Sequence, residues 1–293
     1  MNWLQLRIAV DKPEVEALED ALLASGAVSV TLEDGADDPI LEPGVGETPL
    51  WNSLRVTGLY PADIHTELAV QLLGENFSGQ LQHWRWEILE DQPWETLWTE
   101  HYQPIQCGDK LWICPSWREP PNPDAVNLSL DPGLAFGSGT HATTFLCLQW
   151  LDAQALTGKT VIDFGCGSGI LAIAALLLGA KQVIATDNDP QALLATRDNA
   201  QRNGLSEAQL SVCLPQDLDA GPADIVLANI LAEPLIFLAG QLTALTAPGG
   251  QLCLSGMIAS QTDAVMSAYS EHFRFASPVC REEWFCLTAE KLA

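Results

Sequence analysis

The chain is poor in positive charge. Of 293 residues, 13 are Lys or Arg and 38 are Asp or Glu, giving a formal charge of −25. No run of Lys or Arg occurs, so the surface offers little to a phosphate backbone, and no direct nucleic-acid partner is expected. A basic protein would be attracted. Simple solubility or salt adaptation accounts for the same balance. The eight cysteines (Cys107, Cys114, Cys147, Cys166, Cys213, Cys253, Cys280 and Cys286) form no C-x-x-C pair. Several sit inside apolar patterns and read as small buried hydrophobes in a reducing compartment, not as disulfides or zinc ligands. The five His (His65, His83, His101, His141, His272) show no metal-ligand spacing, so no metal site is expected. No signal peptide and no long uncharged apolar run is present, which predicts no membrane span and a cytoplasmic location.

What is present centres on Val161-Ile162-Asp163-Phe164-Gly165-Cys166-Gly167-Ser168-Gly169. An apolar β-type run ends in an acid, and three glycines follow at every second position. Ile170 to Leu178 then reads as a helix stopped by Gly179. Glycines at such a turn let the backbone bend sharply and let a ligand approach it closely. A dinucleotide site would want G-x-G-x-x-G. Here the third glycine comes one residue early, and Asp163 precedes the first by two. A carboxylate there suits a ligand with an ammonium group, such as S-adenosylmethionine, better than a diphosphate. A βα turn without a ligand is the alternative reading.

Length allows about two domains. Strand candidates at Trp3–Val10, Val28–Leu32, Leu54–Tyr60 and Trp84–Ile88 alternate with a helix opened by Pro13 and one capped by Asp63. A loop rich in Asp, Gly and Pro spans 33–49. The order β-α-β-β-α-β predicts a ferredoxin-like α+β domain over residues 1–90. Residues 1–120 hold 21 acids and 6 bases, and eight of the ten Trp, a composition suited to an interface. Asp91 to Tyr102 reads as a short helix inside a linker of residues 91–106.

Residues 107–293 then alternate strands with helices, which predicts a mostly parallel, Rossmann-like sheet closed by an antiparallel pair. The expected strands are Leu111–Cys114, the run ending at Asp163, Gln182–Thr186, Leu210–Leu214, Asp224–Ala228, Leu252–Leu254, Phe275–Val279 and Trp284–Thr288. Leu231 to Leu245 is expected to be helical and interrupted early by Pro234. Ligands in such sheets sit at the carboxyl ends of the strands. Asp163, Asp187 and Asn229 all fall there. An acid at the end of the second strand is the usual acceptor of ribose hydroxyls, which points to Asp187; Asp189 suits a helix cap. The Asn229 amide can accept from and donate to an amine without adding charge; its bland reading is a turn residue. Before the helix Phe145–Leu151, Asp131 to Thr144 crowds glycine, hydroxyl and one aromatic. That reads as a loop over a site, with Thr143 or Thr144 near the helix start, or else as a plain connector.

With those residues in place, V-I-D-F-G-C-G-S-G, A-T-D-N-D-P and A-N-I-L-A resemble class I S-adenosylmethionine-dependent methyltransferases. D-P-G-L-A-F-G-S-G-T-H-A-T-T together with N-I-L-A resembles the PrmA family over essentially the whole chain, W-I-C-P-S-W included. The resemblance implies a seven-stranded class I fold, S-adenosyl-L-methionine as cofactor, and methylation of the eleventh protein of the large ribosomal subunit. It implies cofactor contacts at Thr144, Gly165, Asp187 and Asn229, to which the turn itself adds Asp163, Gly167 and Gly169. It also implies that the amino-terminal domain recognises substrate and that the linker lets it reorient. The family pattern G-T-G-T-H-P-T-T departs here at Ser138 and Ala142, and Glu233 stands where Gly usually follows N-I-L-A.

The expected reaction is transfer of methyl groups to lysine side chains and the N-terminal amine of that ribosomal protein, taken as the free protein, by a monomeric enzyme. Asn229 is expected to orient the amine; no residue stands out as a general base. Alternatives are a nucleic-acid amino-group methyltransferase, since N-I-L-A resembles N-P-P-Y, and a binding protein that keeps the cofactor fold without catalysis.

Overall fold

The alternating apolar residues Leu6, Ile8 and Val10 turn one face of a strand inward, and Leu18, Ala21 and Leu22 do the same for a helix at 3.6-residue spacing. The computed structural model describes residues 3–36, 50–79, 81, 83–89, 102–131, 136–137 and 139–293. The chain divides into two compact units, Met1–Thr99 and Glu100–Ala293. The expected helix Asp91–Tyr102 lies almost wholly outside the described residues, as does most of the 33–49 loop.

In the first unit the strands are β1 (Trp3–Asp11), β2 (Ser29–Asp34), β3 (Ser53–Pro61) and β4 (Trp84–Leu89), and the helices are α1 (Val15–Ala24) and α2 (Thr66–Asn76). The sheet runs β2-β3-β1-β4 and is antiparallel throughout. This is the ferredoxin-like arrangement expected from the order of elements. Two boundaries differ. Pro13 lies in a 3-10 turn over Lys12–Glu14 that precedes α1. The N-cap of α2 is His65, and no side chain, Asp63 included, caps that end.

The second unit opens with a small sheet, β5 (Ile105–Gln106), β6 (Leu111–Cys114) and β7 (Val126–Ser129). Its apolar residues Cys107, Leu111, Ile113 and Leu128 pack against α3 (Ala142–Asp152) and α4 (Ile170–Leu177). Ile105–Gln106, inside the expected linker span, is an edge strand of this sheet. The main sheet is built from β8 (Thr160–Phe164), β9 (Gln182–Thr186), β10 (Leu210–Cys213), β11 (Ala223–Asn229), β12 (Thr246–Ile258), β13 (Phe273–Phe275), β14 (Val279–Arg281) and β15 (Trp284–Lys291). Its order is β10-β9-β8-β11-β12-β15-β13, with β14 also on β15. The first five strands are parallel and β15 is antiparallel to its neighbours. Strands β13 and β14 occupy one edge, divided at 276–278. Pro278 has no N–H to offer the ladder, which accounts for the gap. The sheet therefore has eight strands in seven positions, with β13 and β14 sharing the last, and it matches the expected mostly parallel, Rossmann-like sheet closed by antiparallel strands.

Helices α3, α4 and α5 (Pro190–Arg202) enclose one core against this sheet. The helices α6 (Ala232–Phe237), α7 (Ala239–Leu245) and α8 (Ala259–Tyr269) enclose the other. The break between α6 and α7 falls at Leu238, not at Pro234. Pro234 occupies the first turn of α6, where its missing N–H costs nothing, and its carbonyl accepts the Leu238 N–H at 2.9 Å. Strand β12 is longer than expected and carries Gly256 at φ 102°. A Cβ there would collide with the Ile230 carbonyl oxygen, so only glycine lets β12 pass the segment that leaves β11. Among the described residues no helix is long and apolar enough to cross a membrane.

Candidate active site

Strand β8 is buried along its apolar length and delivers Asp163 and then the glycine turn to the carboxyl edge of the sheet. Gly165, Gly167 and Gly169 take φ values of 78°, 55° and 78°. A Cβ on Gly167 would lie 2.5 Å from the Phe136 carbonyl oxygen. That carbonyl accepts the Ser168 N–H at 2.9 Å, and the Ser168 hydroxyl donates to the Gly137 carbonyl at 2.7 Å. The loop before α3 is therefore strapped onto the glycine turn. Behind the turn, the Thr196 hydroxyl donates to the Gly167 carbonyl at 3.1 Å and the Asn199 amide to the Ser168 carbonyl at 2.8 Å.

Asp187 leaves the end of β9 and faces the same turn. Its Oδ2 accepts the Gly167 N–H at 2.9 Å, and its Oδ1 accepts the Asp189 N–H at 3.0 Å. Each oxygen keeps a lone pair for a ligand hydroxyl. Asp189 caps α5 by accepting from the Gln191 N–H at 2.8 Å. The two neighbouring acids thus do different jobs, as their positions on the strand end and on the helix start require.

Asn229 ends β11. Its Nδ2 donates to the Thr144 hydroxyl at 3.2 Å, while its Oδ1 is buried and has no hydrogen-bond partner. Thr144 is fully buried in the first turn of α3. That helix starts at Ala142, three residues earlier than the apolar pattern suggests. Ala142 is its first residue, where proline is tolerated and alanine serves as well. His141 caps it: the ring Nδ1 accepts the Thr143 N–H at 3.4 Å and also lies 2.8 Å from the Thr143 hydroxyl.

These elements enclose a cavity of about 500 Å³. Gly165, Gly167, Asp187 and Asn229 lie on its wall, with Phe136, Leu231 and Pro234 supplying apolar surface. Such a size, with few polar groups in an apolar lining, suits a nucleoside-sized ligand. Three of the expected site residues are not on the wall. Thr144 supports Asn229 from behind, and Gly169 is the N-cap of α4. Asp163 is wholly buried: its Oδ2 accepts the Ala172 N–H at 3.0 Å, and its Oδ1 has no partner. Burial pushes this carboxyl up to about 7, partly offset by the Ala172 hydrogen bond. It anchors the start of α4 beneath the turn; the sequence placed it in direct contact with ligand. Ser138 lies outside the described residues. Glu233 is exposed in the first turn of α6 and is not on the wall.

Sequence reading missed part of the wall. Asn188 and Pro215 reach it from the ends of β9 and β10, and Leu238 and Gln241 from the helices after β11. The carboxyl-end rule that selected Asp187 applies equally to Pro215, just after β10. Leu238 and Gln241 carry no local signal, because only the packing of α6 and α7 brings them there.

The chain matches the family model described as Ribosomal protein L11 methyltransferase (PrmA) over residues 2–292. A protein of Cellvibrio japonicus named Ribosomal protein L11 methyltransferase is 55% identical over 291 residues, 99% of each chain. One of the same name from Pseudomonas paraeruginosa is 52% identical over 293 residues, all of both chains. A crystal structure titled ribosomal protein L11 methylase, from Lactobacillus delbrueckii subsp. bulgaricus, is 36% identical with a TM-score of 0.60. It covers 66% of this chain and 100% of that one.

Proposed function

We propose, from the premise that this chain belongs to the ribosomal protein L11 methyltransferase (PrmA) family, that its cavity transfers methyl groups to amines of ribosomal protein L11. S-adenosyl-L-methionine supplies a methyl group already activated on a sulfonium, so the reaction needs a neutral amine held in line and shielded from water. The residues present fit such a donor. Asp187 has lone pairs for ribose hydroxyls, the glycine turn permits close approach, and the wall is largely apolar.

The observation that carries the reading is the unpartnered Asn229 Oδ1. Thr144 occupies the Nδ2 side, which fixes the amide and leaves one acceptor. A turn of the Asn229 amide uncovers that acceptor to the cavity, where it takes an N–H from the incoming amine and turns its lone pair toward the methyl group. The apolar wall at Phe136, Leu231 and Pro234 disfavours an ammonium and so helps the amine arrive neutral. Asp163 is closed off behind the turn and serves no amine as base. Lysine side chains and the N-terminal amine are the acceptors in this reading. The amino-terminal unit recognises substrate as the free protein, in the cytoplasm, and the enzyme acts as a monomer.

Incubation with methyl-labelled cofactor and either stripped L11 or ribosomal RNA tests this. Label is expected in the protein alone. Label in RNA would favour the nucleic-acid alternative, and label in neither would leave a binding protein.

A further inference from the structure

Helix α6 exposes an aromatic ring that the fold does not require at the surface. Phe237 is 88% exposed, the most of any large apolar side chain among the described residues. One exposed apolar residue is ordinary, but this one has neighbours of its kind. Leu231 and Phe136 lie on the cavity wall and are 43% and 58% exposed, and Ile236 is exposed beside Phe237. Helix geometry relates them. Leu231, Pro234 and Leu238 fall on one stripe and line the cavity, while Ala232 and Leu235 face the core. With 3.6 residues per turn, Phe237 points about 160° away from Leu235 and only about 60° from Pro234. It therefore borders the mouth of the cavity without being part of the wall. Glu233, also exposed, stands one turn before it.

We propose that Phe237 and Leu231 form a docking platform for a large apolar side chain of the acceptor protein, close in its chain to the amine being methylated, and that Glu233 meets a basic group on the same segment. This rests on the acceptor being a protein amine, as proposed above. The occupant follows from what the cavity admits. It holds a nucleoside-sized donor and receives one amine, so the residues on either side of that amine stay outside, against the rim. Leu231 follows Asn229 by two residues, so the platform begins where the amine is held. The rim is apolar with one carboxylate on α6, which suits a segment carrying an apolar anchor and positive charge. A phosphate backbone would be repelled by Glu233. The contact is made equally before and during methyl transfer, because no charge changes at Phe237. It therefore sets how tightly the acceptor binds and not how fast the methyl group moves.

The test places a photoreactive phenylalanine analogue at position 237 of the full chain and irradiates it with stripped L11 and S-adenosylhomocysteine, which has no methyl group to transfer. Mass spectrometry of the product should find position 237 joined to L11 within a few residues of a lysine or of the N-terminus. This readout needs no turnover. A cross-link with no methyl transfer by the wild-type chain would overturn the proposed reaction and uphold the platform. In steady-state assays Phe237→Ala should raise KM for L11 about tenfold while kcat and cofactor affinity stay at wild-type values, and Phe237→Leu should recover most of the loss. Glu233→Gln should raise KM less and flatten its dependence on salt. A cross-link only to residues 1–99 of this chain or to a second copy, no cross-link to L11, or a fall in kcat at unchanged KM in Phe237→Ala would overturn the proposal.

Discussion

Replacing Asp163 by Asn should stabilise the ligand-free protein at alkaline pH and weaken cofactor binding. The folded carboxyl titrates near 7 and the unfolded one near 3.8, because burial disfavours the charge. A raised carboxyl is protonated more readily in the folded state. Below 3.8 both states are protonated and nothing is lost. As pH rises through 7 the folded state must carry a buried charge. At about 1.4 kcal/mol per pH unit, that interval is about 4 kcal/mol withheld from folding. Asn keeps the acceptor for the Ala172 N–H but places an unpartnered amide where Oδ1 stood. That returns about 1–3 kcal/mol, leaving a net gain of about 1–3 kcal/mol at pH 8. Urea unfolding of both proteins at pH 8 and near pH 5 reads this directly. The advantage of Asp163→Asn should be largest at pH 8 and shrink toward pH 5. Cofactor affinity should fall, since an ionised carboxyl beneath the turn favours a ligand bearing an ammonium. Equal stability at both pH values, or a less stable variant at pH 8, would refute the burial argument.

Other outcomes follow from the same geometry. Gly167→Ala should abolish cofactor binding in calorimetric titration, because its Cβ meets the Phe136 carbonyl and φ 55° is strained for alanine. Asp187→Ala should weaken cofactor binding by about 1.5–3 kcal/mol from lost charge-assisted hydrogen bonds, with additional loosening of the turn through Gly167; unchanged affinity would remove the ribose role. The fragment Glu100–Ala293 should bind cofactor yet methylate L11 poorly, because every residue on the cavity wall lies within it. Full efficiency would remove the recognition role from the amino-terminal unit.

Much of the fold was legible because period-2 and period-3.6 patterns are local. The β8 run, the glycine turn and α4 stand in one stretch, and so do Asp187 and Asn229 on their strand ends. What was not legible depends on pairing across distance. Strand β7 shows only Val126 and Leu128 as an alternating pair, and it becomes a strand by lying parallel to β6. Asp163 reads as a ligand residue because sequence gives its place on the strand and not its depth. The Cys147 and Cys253 sulfurs lie 3.9 Å apart although 106 positions separate them in the chain. The Pro234 reading failed for a local reason: a proline in the first turn of a helix opens it and does not break it.

In the proposed role, Asn229 orients an amine of L11 for methyl transfer in this cavity. Single-turnover methylation of stripped L11, read by intact mass with cofactor far above its dissociation constant, tests it most directly. Wild-type protein should add successive methyl groups, and Asn229→Ala should add them far more slowly while still binding cofactor. A wild-type rate for Asn229→Ala under those conditions would contradict the account.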